Sequence, residues 1–342
     1  MKRSRVTLSD VAKKVGVHPS TVSRVLNPAT RNGVKAATVK IVDEAAKELG
    51  YRPNPFAYSL RTKRSNTIGI LIPDLTNPMF PPIIRGVEDT LMELHYTAII
   101  SNSDNDRQKE QMALANMKNR QVDGFILATA HREDERVEDC LSENIPLVLI
   151  NRSVDDERVS SVLSDDTAAI EELVGHVASL GHKRIANVAG PQDLSTGYTR
   201  LKAFYEAMKK HNLEVDENLV KVCDGFSEEA GKNALGELLD SGAKFTAVIA
   251  GNDMLALGCY GAIEERNLKC PDDISVTGFN DMPFVDKFNP PLTTMRIQHY
   301  QMGLYASRIL MDQIRDPDLK RQSIVLKCDF MKRGSTGRVN GA

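Results

Sequence analysis

The chain has 342 residues, of which 41% are hydrophobic and 26% charged, a balance that supports packed cores and excludes wholesale disorder. That length exceeds one ordinary hydrophobic core, so two or three compact units are expected. The net charge of −2 conceals a division near Ser65: residues 1–65 carry fourteen Lys and Arg against four Asp and Glu, and the remainder carries thirty against forty-two. A basic head this small suits a polyanion binder, because each neutralised phosphate releases condensed counterions.

The cysteines at 140, 223, 259, 270 and 328 form no CxxC pair and have no histidine at zinc spacing, so neither a disulfide frame nor a metal centre is expected. The amino terminus lacks the apolar run of a signal peptide, and no stretch of about twenty apolar residues occurs. The reading is a soluble cytoplasmic protein with no membrane partner and no cofactor.

In chain order, TLSDVAKKV from Thr7 predicts a first helix. Thr7 is a good N-cap, Asp10 sits at the positive helix end, and Leu8, Val11, Ala12 and Val15 share one apolar face. Gly16 can supply a left-handed turn, and Val17 can plug the gap between helices. A second helix over roughly Pro19 to Leu26 buries Val22, Val25 and Leu26, with proline tolerated in its first turn. Ser20, Ser23, Arg24 and Asn27 then face outward, as a helix that enters a major groove requires. A third helix over about Ala37 to Leu49 closes the small core with Val39, Val42, Ala46 and Leu49, and Gly50 ends it. The pattern is a helix-turn-helix.

After YRPNP, Asn54 can cap a short helix that begins at Pro55. About two turns long, this helix is too short to be stable alone and is expected to fold on DNA. From Thr67 the pattern changes: IGILIPD, TAIISNSD, GFILATA, PLVLINRS, RIANVAGP, AVIAGND and ISVTGFND are strand-length apolar runs that alternate with amphipathic helices. Such alternation implies parallel strands with right-handed crossovers, and ligands then bind beyond the carboxyl ends of the strands. The runs fall into two groups, about Ile68 to Val162 and Ala169 to Pro290, which predicts two lobes with a cleft between them. No GxGxxG follows the first strand, and neither GxxxxGK[ST] nor GxSxG occurs, which argues against an enzyme. A transport-type receptor would share the body but should lack the basic head.

TLSDVAKKVGVHPSTVSRVLN followed by ELGYRPN closely resembles the DNA-binding domain of the lactose-repressor and galactose-repressor family. IPDLTNPMF, GHKRIANVAGP, ISVTGFND, PPLTTMR and KRGSTG are similar to that family's effector-binding core, which shares its fold with periplasmic sugar-binding proteins. The resemblance implies an all-α head and an α/β body of two Rossmann-like lobes. The expected divisions are 1–52 for the head, 53–66 for the hinge and 67–338 for the body. Lobe 1 would take 67–163 and 293–323, and lobe 2 would take 164–292 and 324–338.

By the same resemblance, Pro19 and Ser20 read the operator, and Thr7, Leu8, Ser9, Ser23, Arg24, Asn27 and Asn54 contact DNA. Leu60 is the apolar wedge that paired hinge helices insert into the minor groove, with Arg61, Lys63 and Arg64 on phosphates. Leu60 could also be a plain linker residue. Asn77, Phe80, Arg152, Arg200, Phe226, Asn252, Asn280 and, less directly, Asp253 fall at the cleft. Amides and guanidinium groups there suit hydroxyls, the two phenylalanines suit apolar sugar faces, and the arginines equally suit a carboxylate or phosphate. Each has a plainer alternative: Asn77 as a helix cap, Phe226 as core, Arg200 as an ion-pair partner, Asn252 and Asp253 as turn formers. Asn280 stands where several relatives carry aspartate. The expected partners are palindromic double-stranded operator DNA, a carbohydrate-class effector and a second copy of the chain. A homodimer is expected because one recognition helix reads half a palindrome, and no apolar heptads follow KRGS to build a tetramer.

Overall fold

The computed structural model describes residues 6–26, 28–51, 64–156 and 158–339. It separates into two compact units, Met1–Ser65 and Asn66–Ala342. Asn27, Asn54, Leu60 and Arg61 lie outside the described residues. Among the described residues no helix is long and apolar enough to cross a membrane.

Among its described residues the head contains four helices: α1 (Leu8–Val15), α2 (Pro19–Leu26), the single turn α3 (Pro28–Arg31) and α4 (Ala36–Leu49). Thr7 and Asp10 cap α1 reciprocally. The Asp10 amide donates to Thr7 Oγ1 at 3.3 Å, and the Thr7 amide donates to Asp10 Oδ2 at 2.8 Å, so two otherwise orphaned donors are satisfied. Gly16 and Gly50 close α1 and α4 at φ of 72° and 65°, where a Cβ would be strained. Val11, Ala12, Val22, Val25, Val42, Ala45 and Ala46 form one buried cluster. The helical periodicity read from the sequence therefore becomes a small core with α2 on its surface.

The body is built on two six-stranded sheets, ordered β11-β5-β4-β3-β1-β2 and β12-β10-β9-β8-β6-β7. The first holds β1 (Thr67–Ile72), β2 (Thr97–Asn102), β3 (Gly124–Leu127), β4 (Leu147–Ile150), β5 (Ser160–Ser164) and β11 (Ser323–Leu326). The second holds β6 (Ile185–Ala189), β7 (Val220–Val222), β8 (Ala247–Ala250), β9 (Ser275–Asn280), β10 (Thr293–Arg296) and β12 (Asp329–Met331). All pairings are parallel except β10 with β12. The central strands β3, β4 and β8 are buried along their whole length, as expected of parallel strands covered on both faces.

The chain crosses between the sheets three times, but two crossings differ from the sequence expectation. Thr293–Arg296 pairs with β9 in the second sheet, with Thr293 beside Thr277, and so does not return to lobe 1. Ser323–Leu326 pairs with β5 in the first sheet, and so does not belong to lobe 2. The crossings fall between Arg296 and His299 and between Leu326 and Asp329. The helix His299–Arg315 that follows the second crossing packs on Phe80–Glu93 of lobe 1. There Gly86 and Gly303 let the backbones touch: a Cβ on Gly86 would stand 2.2 Å from the Tyr300 carbonyl oxygen, and one on Gly303 2.0 Å from that of Ile83.

Candidate functional site

In the head, the residues expected on DNA divide by exposure. Thr7, Ser9, Ser20 and Arg24 are exposed, while Leu8, Pro19 and Ser23 are half-buried. The turn into α2 is held by a side chain that the sequence reading did not single out. His18 Nδ1 accepts the Ser20 amide at 3.2 Å and lies 2.8 Å from Ser20 Oγ. Ser20 is thus held against the start of its own helix, leaving Arg24 as the long donor on the exposed face of α2.

In the body, one pocket gathers residues from the loops and early helical turns that follow six strands. It is lined by Asn77 and Phe80 after β1, Asn105 after β2, Asn151 and Arg152 after β4, Thr196 and Arg200 after β6, Phe226 after β7, and Asn252 next to β8. Asn280, the last residue of β9, completes it, and the space between these walls is about 440 Å³ counted out to the open mouth. Seven of the eight residues expected at the cleft meet here, all but Asp253, at the carboxyl ends of the strands, where open parallel sheets leave a crevice. Asn105, Asn151 and Thr196 were missed. Asn105 follows TAIISNSD, Asn151 lies in PLVLINRS and Thr196 stands at the start of the helix after RIANVAGP, so the end-of-strand rule applied to every polar neighbour would have found them.

Several plainer alternatives hold at the same time as the lining role. Asn77 Oδ1 accepts the Met79 amide at 3.1 Å, and Asn252 Oδ1 caps its helix by accepting the Leu255 amide at 2.9 Å. Phe80 is 2% exposed and belongs largely to the core. Phe226 is half-buried and lies so close over Gly190 that a Cβ there would stand 2.2 Å from the ring. Asp253 does not line the pocket. Its carboxylate turns inward, accepting Thr294 Oγ1 at 2.6 Å and the Met282 amide at 2.8 Å, and full burial pushes its pKa up to about 7 against those hydrogen bonds.

The two arginines sit in contrasting settings. Arg200 is buried, its Nε donates to Asp166 Oδ2 at 2.8 Å, its Nη1 donates to the Gly251 carbonyl at 2.8 Å, and its guanidinium lies 3.7 Å from the Phe279 ring centre. Arg152 is equally buried, at 5% exposure, but its Nη2 donates only to Asn105 Oδ1, at 3.1 Å, and its Nε has no acceptor. Desolvation lowers its pKa to about 10, so it stays cationic at neutral pH. It follows a tight reversal in which Asn151 has φ of 61° and the Arg152 amide donates back to the Ile150 carbonyl at 2.6 Å. Non-glycine residues in such a conformation store strain that surrounding structure must hold.

Asn151 Oδ1, Thr196 Oγ1 and Asn280 Oδ1 are also buried without a partner, so four unpartnered polar groups face one pocket. Buried polar atoms in native proteins are nearly always paired, and a cluster of exceptions marks a place where another molecule supplies the partners. Across the mouth the lobes meet through polar contacts. Ser153 donates its amide to Ser195 Oγ at 2.8 Å, Arg132 donates its amide to the Asp193 carbonyl at 2.9 Å, and His131 Nδ1 lies 2.9 Å from Asp193 Oδ2.

Residues 7–54 match the family model for bacterial regulatory proteins of the LacI family, and residues 65–334 match the model for periplasmic binding proteins and the sugar-binding domain of the LacI family. The chain belongs to the LacI family. This regulator is 32% identical to the HTH-type transcriptional repressor CytR of Escherichia coli (strain K12) over 98% of its own length and 97% of that protein's. Among solved structures it resembles the lac repressor dimer bound to operator and the anti-inducer ONPF, with a TM-score of 0.85 and 27% identity over 98% of this chain and all of that one. It also resembles the complex of the transcriptional regulator CelR with cellobiose, with a TM-score of 0.75 and 30% identity over 97% of this chain and all of that one. The chain is a DNA-binding transcriptional regulator with a helix-turn-helix head and a two-sheet α/β body.

Proposed function

We propose that this regulator is a repressor that binds a palindromic duplex operator as a homodimer, and that a carbohydrate-class ligand in the cleft changes its hold on DNA. The observation that carries this reading is the convergence of Asn151, Arg152, Thr196 and Asn280, buried and unpartnered, on one pocket beyond the strand ends. Amide, hydroxyl and guanidinium groups beside Phe80 and Phe226 match the polar rim and apolar face of a sugar ring. Support also comes from the sugar-binding description of the matching family model and from the cellobiose complex of CelR. The same convergence favours binding over catalysis, since the lining joins no nucleophile to a general base. A ligand that prefers one arrangement of the lobes shifts operator affinity by its differential affinity for the two arrangements, and by no more.

In the head, Arg24, Ser20 and Ser23 read base edges while Thr7, Ser9 and the start of α1 hold phosphate, with Asn27, Asn54, Leu60 and Arg61 assigned to DNA by the family resemblance. Two measurements test the reading. Asn280→Ala should keep operator affinity without ligand while lowering affinity for a binding sugar by about tenfold, the cost of one hydrogen bond in a desolvated site. An unchanged sugar affinity would remove Asn280 from the site. Leu60→Ala should weaken operator binding more than nonspecific DNA binding, and equal losses on both would count against the wedge.

A further inference from the structure

The turn into α2 fixes where one hydrogen sits. His18 stands at the cap of the helix, where its carbonyl accepts the Thr21 amide at 2.8 Å. Its ring also accepts the Ser20 amide, with Nδ1 at 3.2 Å. An amide N–H can only donate, so Nδ1 carries no proton and the ring N–H is on Nε2. Ser20 Oγ lies 2.8 Å from the same bare nitrogen. At that distance the lone pairs of oxygen and nitrogen repel unless a hydrogen lies between them, and only the serine hydroxyl can supply it. The Ser20 hydroxyl therefore donates to its own turn. His18 does the capping work of the usual Ser, Thr, Asp or Asn, and in doing so commits the one side-chain donor of Ser20. What the exposed oxygen of Ser20 offers to any other partner is lone pairs alone.

Resting on the reading of Ser20 as a residue that contacts base edges, we infer that His18 is a positioning residue that sets the polarity of this contact, so that Ser20 acts as a hydrogen-bond acceptor and selects a base with an exocyclic amine. In the major groove adenine N6 and cytosine N4 donate, whereas guanine presents N7 and O6 and thymine presents O4, all of them acceptors. Against guanine or thymine the Ser20 oxygen meets another lone pair after water has been excluded, or its hydroxyl must give up His18 to donate. A serine without this tie turns its hydroxyl either way and serves any base. Arg24, one turn further along the same exposed face of α2, carries donors only. The two side chains thus present opposite polarities to the groove.

The test uses the full-length protein and a palindromic duplex recovered by selection, with each base pair replaced in turn in both halves and affinity read by fluorescence anisotropy at fixed salt. Ser20→Ala identifies the position that Ser20 reads, as the one where discrimination between bases collapses. There the wild type should favour adenine or cytosine about tenfold or more over guanine and thymine. His18→Ala should erase that ratio while discrimination at the remaining positions stays as in the wild type. Fraying of α2 alone would weaken binding to every duplex alike and leave the ratio in place. His18→Asn, whose Oδ1 is placed like Nδ1 and can accept both donors, should restore the preference. A wild-type preference for guanine or thymine at that position would overturn the inference while leaving Ser20 a base reader. So would an unchanged ratio in His18→Ala, or no recovery in His18→Asn. If Ser20→Ala altered discrimination at no position, the base-reading role of Ser20 would itself fall, and the inference with it.

Discussion

The two walls of the cleft each bury an arginine, and they treat it in opposite ways. On the lobe 2 wall Arg200 is held by Asp166, the Gly251 carbonyl and the face of Phe279. On the lobe 1 wall Arg152 is held by one amide oxygen and follows a strained turn. The difference separates a group whose position is fixed before any ligand arrives from one with an Nε donor left without an acceptor. A preorganised donor lowers the ordering cost of binding, and an unpaired one offers a bond that the free protein leaves unmade.

The comparison breaks most sharply if Asp166 is neutralised. Asp166→Asn should destabilise the body by about 3–5 kcal/mol in urea unfolding, because it strands a buried cation. A loss below about 1 kcal/mol would mean that the Arg200 pair is no better than a surface bridge. Gly86→Ala comes next, at about 1–3 kcal/mol, since its Cβ must push apart two helices that meet at the Tyr300 carbonyl. Near-wild-type stability would show that the lobe 1 helices yield more easily than their contact suggests.

Asp253 gives a pH test of the lobe 2 wall. Its pKa is raised in the folded state to about 7, so its contribution to stability is fully present below the unfolded carboxylate value of about 4 and is lost as pH rises through about 7. The Asp253→Asn variant should flatten the fall in melting temperature across that window, and an unaltered slope would place the titration elsewhere. The smallest effect belongs to the head: Thr7→Ala removes one half of the cap on α1 and should cost about 1 kcal/mol, read by helix circular dichroism during melting.

Much of this architecture is legible in the sequence, for physical reasons that differ by region. Thr7, Gly16, Pro19 and the valines of the head act locally, so cap, turn and apolar face can be read within twenty residues. The pocket residues Asn77, Arg152, Arg200 and Asn280 were nominated by the family resemblance, and they lie where a general rule about strand ends also places a ligand. Sheet membership of Thr293–Arg296 and Ser323–Leu326 was misassigned because a four-residue strand carries no mark of its partner. Pairing with β9 or β5 is settled by contacts between segments distant in the chain. The same limit hid the roles of Asn252 and Asp253: adjacent letters in AGND point one to the pocket and the other into the core. Nothing local distinguishes Arg152 from Arg200 either, since the presence of Asp166 beside one of them is a tertiary fact.

The central claim is that a sugar held in the cleft is felt at the operator, and operator binding measured with and without that sugar tests it most directly. Fluorescence anisotropy at fixed salt, on a palindromic duplex recovered by selection, would compare the wild type with Arg152→Gln. The account predicts that saturating D-galactose, D-glucose or D-ribose, whichever binds, changes the operator affinity of the wild type. It also predicts that Arg152→Gln binds operator as the wild type does without ligand and no longer responds. A wild-type operator affinity indifferent to the bound sugar, or an equal response in the variant, would contradict it.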